Sequence, residues 1–229
     1  MFDITATEWT AILLSIRVAT VATLVATPLG IALAYLLARR DFWGKSLLDA
    51  AVHLPLVLPP VVTGYLLLLA FGRRGPIGAF LADHFGIVLA FRWTGAVLSC
   101  GVMSFPLLVR PMRLSIEAVD RRLEQAAETL GAAPWRVFLD VTLPLALPGV
   151  VSGFLLAFSV AISSYATPAI LGGPSTETMP VMILNFMTVL LDWSLGSAMS
   201  AVLTVSALLM LFGAMLLASR VERAEGRAS

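Results

Sequence analysis

Uncharged apolar runs alternate with short polar segments along this chain, and five of the runs approach or exceed the roughly 20 residues that a helix needs to cross a bilayer. Residues 18–38, 54–72 and 193–219 contain no charged side chain. Residues 93–109 form a shorter uncharged run that extends toward Met112, and 141–176 is longer than one helix requires. The pattern predicts an all-α, polytopic membrane bundle of five spans, at about 12–38, 47–72, 93–114, 143–168 and 194–219. Two further apolar runs are too short to span. Residues 178–191 read as a re-entrant or interfacial helix, and 80–91 is interrupted by Asp83 and His84.

Composition narrows the class. Hydrophobic residues make up 59% of the chain and charged residues only 13%, against about 25% charged in a soluble domain. Mean hydropathy is +0.94. This is an integral membrane protein, and nothing suggests nucleic-acid binding. The first nine residues hold Asp3 and Glu8 and no basic residue. The positive region of a signal peptide is therefore missing, and the first apolar run is expected to remain as a span. Cys100, the single cysteine, sits in an apolar run and reads as a buried small residue. No disulfide within the chain and no metal site is expected.

Basic residues orient the bundle. Assigning the loops alternately to two sides puts Arg39, Arg40, Lys45, Arg110, Arg113, Arg121, Arg122, Arg136, Arg220, Arg223 and Arg227 on one side. Arg73, Arg74 and Arg92 fall on the other, with Arg17 at a helix end. The rich side is expected to be cytoplasmic. That places the N-terminus outside, the C-terminus inside, and the loop at about 115–142 in the cytoplasm.

This loop is the most polar stretch of the chain, and it has helical periodicity. Leu123, Ala126, Ala127 and Leu130 recur at spacings of three and four, the repeat of one helix face. Asp120 is placed as an N-cap. Gly131 stands where a helix commonly ends in a left-handed turn. Pro134 suits the first turn of a second short helix over 135–140. Periodicity alone leaves open an ordinary amphipathic helix lying on the membrane surface.

The spacing points to a partner. Gln125-Ala126-Ala127 is followed after three residues by Gly131, and nine residues later by Val141-Thr142-Leu143-Pro144. This resembles the cytoplasmic loop of bacterial ABC importer permeases, which reads E-A-A, three residues, Gly, nine residues, Ile-x-Leu-Pro. Gln125 replaces the Glu and Val141 the Ile; Glu124 and Glu128 lie nearby. The resemblance implies a type I ABC importer permease fold. It also implies that the loop docks in a cleft of a separate ATPase subunit and passes its motion to the spans. Ala126 and Ala127 would then allow close approach, and Gly131 would make the bend. Glu124, Gln125 and Glu128 would face basic groups of the ATPase, and Leu143-Pro144 would lead into the fourth span.

The same family has branches. Ala38-Arg39-Arg40, Gly44-Lys45, His53-Leu54-Pro55-Leu56-Val57-Leu58-Pro59-Pro60, Gly72-Arg73-Arg74-Gly75 and the stretch from Val119-Asp120 to Gly131 resemble molybdate permeases. The last third departs. Molybdate and sulfate permeases carry Gly-Glu-Phe/Tyr-Gly near the end of the fourth span. This chain instead has Ser163-Ser164-Tyr165-Ala166-Thr167-Pro168-Ala169-Ile170-Leu171-Gly172-Gly173-Pro174 and, further on, Asp192-Trp193-Ser194-Leu195-Gly196-Ser197-Ala198. These resemble polyamine, opine and ferric-iron permeases. The resemblance implies a permease for molybdate or a related oxyanion, with a polyamine, opine or ferric complex as the alternative cargo.

Other residues bear on mechanism. Gly44-Lys45-Ser46 has the ending of a phosphate-binding loop, but the first glycine of that motif would fall at position 39, which is arginine. The chain is expected to bind no cofactor; ATP and magnesium belong on the partner. The uncharged runs at the centres of the five spans contain no carboxylate, which argues against a stand-alone proton-coupled transporter. His53 reads as an interfacial histidine. Pro59 and Pro60 break the second span, as simple kinks or as part of a gate. Ser159, Ser163, Ser164, Tyr165 and Thr167 either bond back to helix carbonyls or line the pathway. Gly149 and Gly153 form a small-xxx-small pair for packing within the chain. The partners implied by the family are a dimer of ATPase subunits, a second copy of the permease, a periplasmic binding protein and the lipid of the bacterial inner membrane.

Overall fold

The computed structural model describes residues 6–173 and 176–225; expectations that rest on Asp3, Pro174 or Arg227 lie outside them. The described elements are helical. The longest is α1 (Ala6–Arg39), whose 34 residues span about 50 Å at 1.5 Å per residue, more than a ~30 Å hydrocarbon core requires. Thr23 and Thr27 donate their hydroxyls to the carbonyls one turn earlier, Ala19 and Thr23, so polar side chains enter the span without unpaired groups.

The bundle core joins three helices: α1, α5 (Trp93–Ala118) and α9 (Leu147–Ser163). Ala34, Leu37, Leu108, Met112, Ile116, Ala146 and Ala157 are fully buried between them. Small residues set the spacing. Gly30 of α1 faces the Leu108 side chain. On α9, Gly149 lies against Ser115 and the Pro111 carbonyl, and a Cβ at Gly153 would stand 2.6 Å from the Leu108 carbonyl oxygen. In lipid, helix association rests on such close van der Waals packing rather than on a hydrophobic drive. The Gly149/Gly153 pair thus seats α9 on α5 within one chain, and Cys100 is buried with its thiol 3.5 Å from the Ala161 carbonyl.

Two of the expected spans are broken helices. α2 (Lys45–Val57) and α3 (Pro60–Phe71) meet at 117°. Leu58 and Pro59 are extended, with ψ of 142° and 137°, because the residue before a proline is pushed out of the helical region. The run at 143–168 is likewise divided. α9 stops at Ser163, Ser164 is extended with ψ 131°, and α10 (Ala166–Gly172) follows as a separate helix. α10 lies between α3 and α5: Gly64 faces Thr167 and Ile170, and Gly95 faces the Leu171 carbonyl. Three described helices are long and apolar enough to cross a membrane, or up to five if each bent pair counts as one span.

The short apolar runs are short helices. α4 (Pro76–Phe85) ends at Gly86, φ +66°. Beyond it, the Phe91 amide donates to the Leu171 carbonyl at 2.8 Å, which ties the loop to α10. α11 (Met179–Thr188) docks on α1, where the Met179 amide donates to the Ser15 hydroxyl at 2.7 Å. α12 (Trp193–Glu225) packs on α11, with Gly196 against Met187. Val61, Val62, Tyr65, Leu66 and Leu69 of α3 are exposed, as are Val205, Leu208, Leu209 and Phe212 of α12.

Gly153→Ala should lower stability by about 1–3 kcal/mol, because a main-chain carbonyl blocks the new methyl. Gly213→Ala meets nothing within 4 Å and should be neutral or stabilising by less than about 1 kcal/mol. Thermal unfolding of the two variants in detergent checks the contrast.

Candidate functional site

The polar loop folds as α6 (Arg121–Thr129), α7 (Pro134–Val137), a π-helical turn (Phe138–Thr142) and α8 (Leu143–Leu145), leading into α9. Both ends of α6 are closed. The Asp120 carboxylate accepts from the Arg122 amide at 2.9 Å, satisfying one of the free N–H groups of the first turn. At the other end the Gly131 amide donates to Glu128 and the Ala132 amide to Ala127, while Gly131 takes φ +87°. That is a Schellman turn, which needs a residue tolerant of positive φ. Pro134 sits in the first turn of α7. The second helix is not an isolated piece over 135–140: the π turn carries it on into α8, with a 69° bend before α9.

The π turn directs the Thr142 hydroxyl back toward α6. Glu124 Oε1 accepts from Thr142 Oγ1 at 2.6 Å, from Arg39 Nη2 at 2.9 Å and from Arg39 Nε at 3.2 Å. Arg39 Nη2 also donates to the Val119 carbonyl at 3.0 Å. The side chains of Arg39 and Glu124 are 8% and 14% exposed. Glu124 Oε1 is therefore engaged within its own chain, because Arg39 at the inner end of α1 lies within reach. Arg39 was not among the sequence candidates. The signal was an arginine closing an otherwise uncharged span.

Elsewhere the loop presents large exposed apolar side chains. Leu130 is 89% exposed and Trp135 60%, with Leu123 also exposed, and Arg136 stacks on Trp135 at 5.1 Å. Gln125, Ala126 and Glu128 are exposed beside them, whereas Ala127 is half-buried. Leu143 is half-buried and Pro144 exposed at the start of the bend. Large apolar side chains presented on a polar loop mark an interaction surface. The periodicity located Leu130, but the prominence of Trp135 follows from the turn at Gly131.

The pathway candidates do not converge. Ser159 donates to the Leu155 carbonyl and Ser163 to the Ser159 carbonyl, each at 2.9 Å, so these hydroxyls serve the helix itself. Ser164 and Thr167 are 3.3 Å apart through their hydroxyls, and Thr167 is 0% exposed between α10 and α3. Tyr165, Pro59 and Pro60 are exposed. A cavity of about 660 Å³ lies elsewhere, between α1, α2 and α5. Val25, Val52, Trp93, Val97 and Phe105 line it, and none of the named hydroxyls does. His53 is half-buried, with Nδ1 2.8 Å from the Asp49 carbonyl; the Asp49 carboxylate holds Arg113 at 2.8 Å. Among the described residues no group of three His, Cys, Asp or Glu stands close enough to hold a metal ion.

The family described as "Binding-protein-dependent transport system inner membrane component" matches residues 26–225. The chain belongs to this family. It is a multi-pass inner-membrane permease of an ABC transporter, working with a binding protein and with a separate ATPase subunit that carries out the ATP chemistry. The permease is 58% identical over 158 residues to the molybdenum transport system permease protein ModB of Escherichia coli (strain K12), covering 69% of each chain. It is 38% identical to the protein of the same name from Mycobacterium tuberculosis (strain ATCC 25618 / H37Rv) over 212 residues, 91% of this chain and 79% of that one. The second match runs well into the last third, where the sequence motifs depart. Among solved structures, the crystal structure of a bacterial ABC transporter involved in the import of the acidic polysaccharide alginate matches with a TM-score of 0.78. That match has 16% identity and covers 94% of the permease and 80% of that chain. At this identity it shows the fold, that of an ABC importer permease.

Two substitutions test how α6 is held. Asp120→Ala removes the cap and should speed amide exchange in α6 about fivefold, the equivalent of ~1 kcal/mol. Gly131→Ala has room for its methyl but strains the positive φ by about 1–2 kcal/mol, with a similar gain in exchange. Hydrogen–deuterium exchange followed peptide by peptide reads both.

Proposed function

We propose that this permease moves molybdate, or a closely related oxyanion, from a periplasmic binding protein into the cytoplasm. The observation that carries the reading is the 58% identity to a permease named for molybdenum transport. The longer alignment with a second protein of that name supports extending it through the last third. Two copies of this chain would enclose the pathway, with two ATPase subunits beneath them. The uncovered apolar faces of α3 and α12 suit contact with a second copy and with lipid. The arginine distribution supports an external N-terminus, a cytoplasmic C-terminus and a cytoplasmic α6–α7 loop.

In this reading α6 and α7 dock on the ATPase through Leu130, Trp135 and Leu123, flanked by Gln125 and Glu128. Closure of the ATPase pair on ATP would draw the two loops together and open the spans outward. Cargo would then leave the binding protein for the cavity between the copies, and hydrolysis would reset the complex.

Binding calorimetry on the cognate binding protein distinguishes the cargoes. Tight molybdate binding is expected; spermidine or a ferric complex bound tightly, without molybdate, would replace the oxyanion. Transport by the purified permease without its ATPase would overturn the ATP-driven reading altogether. Leu130→Asp should weaken association with the ATPase by about tenfold or more, as loss of an apolar anchor does. Co-purification with the ATPase subunit measures it, and a Gly131→Leu variant that assembles and transports normally would remove the docking role.

A further inference from the structure

Arg39 and Glu124 are 85 positions apart in sequence and 2.9 Å apart in the structure. The ends of α6 explain what this contact adds. On one side the helix joins α5 through the extended Val119 and Asp120. On the other it leaves through Gly131 at positive φ. A helix held only at two turns can pivot about them. Covalently, α6 leads to α5 and to α9 and has no direct connection to α1.

We infer that Arg39, Glu124 and Thr142 form a strut that makes α6 move as one body with the inner end of α1. These are positioning residues. They touch neither cargo nor nucleotide, and act by holding the coupling helix. One carboxylate oxygen gathers both arms of the Arg39 fork and the Thr142 hydroxyl, while Arg39 also holds the Val119 carbonyl at the end of α5. The junction therefore ties α1, α5, α6 and the π turn at one point. Its low exposure separates it from a solvent-screened surface pair, whose geometry constrains little. The planar fork of arginine also fixes direction as well as distance, which an ammonium does not. Because α1 lies along both α5 and α9 in the core, a load applied to α6 reaches the bundle through α1 as well as through the chain itself.

The strut rests on the proposed docking of α6 to the ATPase, and the test separates the two. The complete transporter, with its ATPase and binding protein, is reconstituted in liposomes and supplied with molybdate. Molybdate moved per ATP hydrolysed is measured with the thermal stability of the complex. Glu124→Gln keeps the shape and loses the charge; Arg39→Lys keeps the charge and loses the fork. Each should lower the transport-to-ATP ratio by about fivefold or more, the size of a typical coupling between sites. The double variant Arg39→Ala/Glu124→Ala should be no worse than Glu124→Ala alone, as expected for residues acting through one contact.

An unchanged ratio in both conservative variants overturns the strut. So does a loss confined to Glu124→Gln, which would point to a contact with the ATPase, and so does a fall in transport matched by an equal fall in intact complex. If Leu130→Asp uncouples while Arg39→Lys does not, the strut alone is wrong. If Leu130→Asp assembles and couples normally while the strut variants uncouple, the docking reading fails and the strut stands.

Discussion

Lipid offers no hydrogen-bond partner to a peptide group, so every break in a membrane helix has to be satisfied by the protein itself. That constraint organises this permease. Its core is three helices brought close by Gly30, Gly149 and Gly153, which lets main chain approach main chain without water between. Its breaks are short and tightly supported: two extended residues at Leu58 and Pro59, and a single extended Ser164 followed by Tyr165 before α10 begins. The loop before α5 is held by an amide of Phe91 donating to α10. Even the buried hydroxyls of Ser15, Thr23 and Ser104 return to carbonyls of their own helix.

At the polar loop the constraint relaxes and electrostatics takes over. Asp120, Gly131 and Pro134 shape two short helices, and the π turn brings Thr142 into line with Glu124. The outcome is a loop with one carboxylate turned inward and large apolar side chains left exposed. Its inner side is an ion pair with α1, sheltered from solvent. Its outer side carries Leu130 and Trp135, both largely exposed.

The elements most legible beforehand depend on neighbours in sequence. The apolar runs, the Asp120 cap, the glycine after α6 and the proline opening α7 all follow from local rules. The small-xxx-small spacing of Gly149 and Gly153 also indicated close packing within the chain. Less legible were features set by distant residues. Thr167 belonged to a hydroxyl-rich stretch that suggested a pathway, yet α10 turns it against α3 and closes it from solvent. Glu124 stood beside Gln125 as a candidate for a partner's basic groups, and nothing nearby in sequence indicated that Arg39 pairs with its Oε1.

By itself the sequence determined that the chain is a helical membrane permease with a polar helical loop, because bilayer length, helix capping and motif spacing are read over a few turns at most. Only the tertiary structure decided which way that loop faces. The direction of a carboxylate on α6 depends on where the end of α1 arrives, 85 residues earlier, and no local pattern carries that distance.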